Sequence, residues 1–250
     1  MRSRYPSASN FSYSFGPGPL TPAIKALIIA NVAAFLVTSF APELLLYFGL
    51  RPKDVIEQYT AWQLVTYMFL HSGIGHILFN MLSLWMIGVE LERMWGTTFF
   101  TKYYFVCGVG AGLTQVLLGA MPSPFGDQYY YPATVGASGA IFGLLLAYGL
   151  YFPNRPIMMY FMFPVPAKYF VMILGAIQLL LAAGGSSGVA YTAHLGGLIV
   201  GYLYLKGGRT KINIVSEIQY RYLKWKINRM RRKFDVYSGG RADDVNRRVH

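Results

Sequence analysis

The sequence predicts an all-α fold: a polytopic membrane protein whose chain crosses the bilayer as six transmembrane helices. Three observations carry that reading. Hydrophobic residues make up 54% of the 250 and charged residues 13%, about half the charged share of an ordinary globular domain. Long tracts lack any Asp, Glu, Lys or Arg: 26–42, 58–89, 103–126, 128–154 and 169–205. About 20 apolar residues cross a bilayer, so these tracts hold several crossings and exclude a soluble domain, a disordered chain and a disulfide scaffold. Finally, 20 of the 22 basic residues fall on one side of a six-helix arrangement, leaving Arg51 and Lys53 on the other. That asymmetry places both termini in the cytoplasm.

The first helix is predicted over 22–40, opened by Thr21-Pro22, a pair suited to a helix start. The second covers 73–91 and the third 98–119. The fourth starts near Val135, runs to 152 and stops at Pro153-Asn154. The fifth, 167–183, ends at Gly184-Gly185-Ser186-Ser187-Gly188, and the sixth, 189–205, at Lys206-Gly207-Gly208. The chain thus divides into an N-terminal tail (1–21), a six-helix domain (22–205) and a basic C-terminal tail (206–250). Cys107 lies inside an apolar tract and reads as a small buried hydrophobe. Residues 1–20 have no apolar core ahead of a small-residue site, so no cleavable signal peptide is expected.

The net charge of +12 is concentrated in the tail, which accounts for it without a nucleic-acid partner. Residues 211–234 read as a basic amphipathic helix, with Leu223, Ile227, Met230 and Phe234 on one face. Such a helix suits an anionic lipid surface; a solvated tail with no specific partner fits equally.

Polar residues inside a bilayer are costly, and they mark function. Four stand out: His76, Asn80, Ser138 and His194. They sit on the second, fourth and sixth helices, which all run from outside to inside. At 1.5 Å per residue they fall roughly 5–12 Å below the outer surface, a single shallow depth. His76 and Asn80 are four apart and share a helix face. Gly197 and Gly201 follow His194 on its own face, and Gly136, Gly139 and Gly143 surround Ser138. Small residues let helix backbones approach, so the fourth and sixth helices can bring the serine to the histidine. A serine hydroxyl becomes a nucleophile when a positioned base takes its proton, and histidine is the usual base near neutral pH. Asn80 and His76 can donate to an oxyanion. No acid lies near that depth, which leaves a Ser–His dyad without an orienting carboxylate.

Each piece alone has a plainer reading. Gly-x-Ser-Gly can serve helix packing, Asn80 can join helices, and a membrane histidine can ligate haem or a metal. His71, His76 and His194 could in principle form a metal site, although no carboxylate stands nearby; no metal and no cofactor are expected. Glu90 and Glu92, beside Arg93 at the inner end of the second helix, suit a structural tie to the connection that follows.

These residues resemble the rhomboid family of intramembrane serine proteases over about 60–205. The run from His71 to Asn80 resembles the family's second-helix motif, and Glu92-Arg93-Met94-Trp95-Gly96 its Glu-x-x-x-Gly element. Gly136-Ala137-Ser138-Gly139 resembles the nucleophile motif. The segment Ala193 to Gly201 resembles the sixth-helix Ala-His-x-x-Gly-x-x-x-Gly motif. The resemblance implies Ser138 as nucleophile, His194 as base and then acid, and an oxyanion site from His76, Asn80 and the Ser138 backbone. It further implies cleavage of transmembrane protein substrates near the outer end of their membrane segment, with entry past the fifth helix and its glycine-rich cap. One departure is Trp62-Gln63, where the family often has Trp-Arg. A non-catalytic relative that binds transmembrane segments, and a transporter or channel, are the rival readings. The presence of both dyad residues counts against the first, and the lack of an acidic relay against the second. A bacterial inner membrane is the expected location.

Overall fold

The computed structural model describes residues 16–159, 163–183 and 189–209. Its helices are α1 (Pro22–Phe40), α2 (Leu44–Phe48), α3 (Pro52–Gln58), α4 (Gln63–Thr66), α5 (Ile74–Trp95), α6 (Thr97–Gly119), α7 (Asp127–Tyr130), α8 (Ser138–Tyr151), α9 (Ala167–Ala183) and α10 (Val189–Arg209). A single 3₁₀ turn, Tyr67–Phe69, follows α4, and a small antiparallel hairpin, β1 (Pro156–Met159) and β2 (Phe163–Pro166), joins α8 to α9. The chain divides into two units, Met1–Leu205 and Lys206–His250, and every candidate site residue belongs to the first.

The protein is mostly helical, as expected. Two described helices, α1 and α5, are long and apolar enough to cross a membrane, while α8 and α9 are shorter apolar helices. Several large apolar side chains point outward, among them Ile29, Leu36 and Val37 of α1 and Met172, Leu179 and Leu180 of α9. An exposed apolar surface of this kind suits lipid rather than water.

The described elements depart locally from expectation in three places. The 41–72 connection contains α2, α3, α4 and the 3₁₀ turn, elements of three to seven residues and too short to show a helical period. The 4–5 connection forms the β1–β2 hairpin. The fourth helix begins at Ser138, three residues later than expected, because Gly136 adopts φ 126, outside the helical region. The Gly184–Gly188 cap and the 211–234 helix lie outside the described residues.

The core is anchored by buried aromatic side chains, two of which bond through their hydroxyls to neighbouring backbone. Tyr67, Phe100, Tyr103 and Tyr104 are fully buried. Tyr67 Oη donates to Gly108 O (2.7 Å) and Tyr103 Oη to Gly143 O (2.8 Å), stitching α6 to the 3₁₀ turn and to α8. Cys107 is buried, and a side chain on Gly143 would strike its Sγ.

Glu92 organises the inner end of α5. Buried and bonded four ways, it accepts from the backbone N–H groups of Ala23 (2.9 Å) and Ile24 (3.1 Å), and from the hydroxyls of Thr21 and Thr97. The first-turn amides of a helix have no partner within it and carry a partial positive charge, so a carboxylate from α5 caps α1 while also gripping the start of α6. Gly96, at φ 79, closes α5 and lets α6 begin one residue later. Glu90 pairs with Arg155 (3.5 Å) and accepts from Tyr148 Oη (3.2 Å).

Candidate active site

The nucleophile candidate stands at a helix start held by long-range backbone bonds. Leu50 and Thr134 exchange both backbone hydrogen bonds, and Gly136 N donates to Tyr67 O (2.9 Å). The connection between α1 and α5 therefore grips the segment that leads into α8. Gly136 then turns with φ 126, and a side chain there would stand 2.7 Å from His76 Nε2. Both conditions restrict the position to glycine. Ser138 follows as the first residue of α8.

Close packing of α8 and α10 brings the histidine in. A methyl group on Gly197 would overlap the Gly139 carbonyl, and one on Gly201 would crowd Tyr103 Oη and the Gly143 backbone. The two backbones are thus in contact one turn below the site. Above that contact, His194 Nε2 lies 2.8 Å from Ser138 Oγ. The imidazole stacks on Phe142, one turn down from Ser138, with centroids 4.2 Å apart and planes 8° from parallel. Its other nitrogen, Nδ1, lies 2.7 Å from Gln178 Oε1 of α9.

His76 completes the other side. Ser72 N donates to His76 Nδ1 (3.5 Å), and the Ser72 hydroxyl is 3.1 Å from the same nitrogen. A backbone N–H can only donate, so Nδ1 accepts and the neutral ring carries its proton on Nε2, the nitrogen that faces Gly136. Asn80 is buried and donates one Nδ2 hydrogen to His76 O (3.0 Å); the amide holds a second. His71 packs edge-on against His76, with centroids 4.9 Å apart. Burial, then the neighbouring His76, lowers the His71 pKa to about 4 against an opposing contact from the Phe69 carbonyl. Among the described residues, no three His, Cys, Asp or Glu side chains gather closely enough to hold a metal ion.

Ser138, His194 and His76 are therefore neighbours, with Asn80 one helical turn from His76. Gly136, Gly139, Gly197 and Gly201 form the surrounding close contacts, while Glu92 and Gly96 lie at the opposite end of α5. Two participants are missed by the sequence reading: Ser72, which orients His76, and Gln178. The only signal for Gln178 is a lone amide inside the apolar run 169–183. Gln63, at the family's arginine position, is buried. It accepts from Arg51 N (3.0 Å) and donates to Tyr47 O (3.2 Å), so it ties the loop through two backbone groups.

Comparison with known proteins identifies the family. Residues 58–209 match the model of the Rhomboid domain. The chain is 33% identical over 162 residues to "Rhomboid protease GluP" of Bacillus subtilis, covering 64% of this chain and 28% of that protein. It is 31% identical over 154 residues to "RHOMBOID-like protein 2" of Arabidopsis thaliana, covering 62% and 44%. It is also 31% identical over 217 residues to "Rhomboid protease AarA" of Providencia stuartii, covering 78% and 74%. The chain thus spans less than half of the first two relatives and about three quarters of the third. With the domain match extending over most of the chain from α4 to α10, the protein belongs to the rhomboid family.

Proposed function

We propose that the protein is an intramembrane serine endopeptidase acting on the transmembrane segments of other membrane proteins. The observation that carries this reading is the 2.8 Å contact between His194 Nε2 and Ser138 Oγ, made across two helices whose glycines permit it. Membership of the rhomboid family, and the protease names of two relatives, support the same reaction.

In the proposed reaction, Ser138 Oγ attacks the scissile carbonyl carbon and its proton passes to His194 Nε2. The carbonyl oxygen becomes an oxyanion that accepts hydrogen bonds from His76 Nε2–H, Asn80 Nδ2–H and the Ser138 N–H. The last is a first-turn amide with no partner inside its helix. Each such donor is worth about 3 kcal/mol when aimed at developing charge. Collapse of the intermediate breaks the C–N bond, and His194 returns the proton to the leaving amine. Water, deprotonated by the same histidine, then releases the acyl group from Ser138. The chemistry needs no metal or cofactor.

Placement in the membrane belongs to the same proposal. Six crossings, formed by α1, α5, α6, α8, α9 and α10, put both termini in the cytoplasm and the site near the outer face, in a bacterial inner membrane. Supporting this are the basic-residue asymmetry and the outward apolar side chains of α1 and α9. Substrates enter laterally past α9, and the 211–234 segment contacts anionic lipid. The 1–21 tail, the 22–205 domain and the 206–250 tail are the corresponding parts.

The test is cleavage of a single-pass membrane substrate by the purified protein in liposomes, beside Ser138→Ala and His194→Ala. Cleavage by the parent protein alone is expected, with both variants equally inactive because the pair acts as a unit. Full activity in Ser138→Ala would refute the reading.

A further inference from the structure

We infer that Gln178 of α9 is a positioning residue for His194, accepting its Nδ1 proton and so holding Nε2 bare toward Ser138; the inference rests on the proteolytic reading above. Three side chains from three helices stand in one row: Gln178 Oε1 to His194 Nδ1 at 2.7 Å, and His194 Nε2 to Ser138 Oγ at 2.8 Å.

The chemistry of the row is directional. An amide oxygen has no hydrogen to give, so Nδ1 must donate to it. A neutral imidazole carries one N–H, which leaves Nε2 as a lone pair facing the serine hydroxyl. With Oε1 facing the ring, the opposite tautomer would set Nδ1 and Oε1 against each other as two acceptors and aim Nε2–H at Oγ; matching it would require the amide to turn over and present its N–H to Nδ1. A buried hydrogen bond left unmade is costly, so the amide in its observed orientation, Oε1 toward Nδ1, favours the tautomer that can act as a base. After proton transfer both ring nitrogens are donors, and Oε1 remains in place as acceptor for the imidazolium. No acid occurs between Asp127 and Glu217. The amide thus performs the orienting task without a carboxylate buried in the apolar interior, where an isolated charge is expensive.

The burial of α9 points the same way. Its described buried residues are Ala167 and Gln178 alone, while Met172, Leu179 and Leu180 are 67%, 60% and 71% exposed. The helix turns an amide inward and its large apolar side chains outward. Burying an amide is unfavourable unless it is hydrogen-bonded, and the bond found is the one to His194. Phe142 fixes the face of the imidazole, and Gln178 fixes its edge. Because the acceptor rides on α9 while Ser138 and His194 ride on α8 and α10, the base is set only when α9 is seated against them.

The test compares Gln178→Met, which keeps length and loses the acceptor, with Gln178→Glu, which keeps an oxygen at the same reach. In liposomes, with cleavage that Ser138→Ala abolishes, Gln178→Met is expected to lower kcat about tenfold with little change in KM, the worth of one lost neutral hydrogen bond. Gln178→Glu is expected to restore most of that loss. A Gln178→Met protein with the parent kcat would overturn the inference, as would a loss that Gln178→Glu does not repair. A second readout needs no catalysis. ¹⁵N spectra of the imidazoles, with His194 assigned by His194→Ala, should show the Nδ1–H tautomer in the parent and a mixture in Gln178→Met. An Nε2–H tautomer in the parent, or identical spectra for both proteins, would overturn the inference even if no cleavage were found. Absence of cleavage together with the expected spectra would instead count against the proteolytic reading.

Discussion

Gly197 of α10 lies directly against the backbone of Gly139 in α8, so closely that a methyl group on Gly197 would overlap the Gly139 carbonyl oxygen. This contact is three residues from His194 and one from Ser138, and it sets the separation of the two helices that carry them. Because the obstructing atom is backbone, neither side can turn away. Gly197→Ala should force the helices apart, costing about 1–3 kcal/mol of stability. A displacement near 1 Å at the reacting atoms costs about hundredfold in rate. Cleavage assays beside thermal unfolding in detergent check both effects, and the loss of rate should exceed what the unfolded fraction explains.

Asn80 and His76 are one turn apart on α5 and linked by the Asn80 Nδ2 to His76 O hydrogen bond. If each supplies one oxyanion donor, Asn80→Ala should lower kcat by about 3 kcal/mol, near a hundredfold, while a remnant persists through the other donors. KM should change little, since the donors act on charge that develops in the transition state. Steady-state kinetics separate the two parameters.

Glu92 is distant from Ser138 and His194, and its effect should fall on stability. Glu92→Ala strands the Ala23 and Ile24 amides and the Thr21 and Thr97 hydroxyls. Hydrogen bonds to a charged group contribute about 1.5–3 kcal/mol each, so unfolding at markedly lower temperature is expected. The molecules that remain folded should cleave at close to the parent rate, which active-site titration can establish.

His71 should make the fold acid-sensitive. Its pKa falls from 6.5 to about 4 through burial and the nearby His76, so the fold favours the neutral ring. The resulting stability is present above pH 6.5 and is lost progressively as the pH falls toward 4, since the unfolded chain takes up the proton first. Thermal unfolding followed between pH 7 and pH 4 should show a smaller decline for His71→Phe than for the parent protein.

Which of these features are legible in the sequence follows from what a bilayer makes conspicuous. His76, Asn80, Ser138 and His194 stand out because they interrupt apolar tracts, and the glycines after His194 show which face packs. The long helices are legible for the same reason, since each fills a tract. Ser72 is not, because a serine in a loop is unremarkable until its amide meets His76 Nδ1. Gln178 is a harder case: it interrupts a tract as clearly as Asn80, but only the packing of α9 shows that it turns inward to His194. The short helices between 44 and 69 depend on tertiary contacts such as Gln63 with Arg51 and Tyr47, which a window of sequence does not contain.

The most direct test of the central claim is labelling with a fluorophosphonate, which reacts with a serine activated by a base, followed by mass spectrometry of the modified peptide. The account predicts a single phosphonylated residue, Ser138, and loss of that label in His194→Ala. Label on another serine, or undiminished labelling of Ser138 without His194, would contradict it.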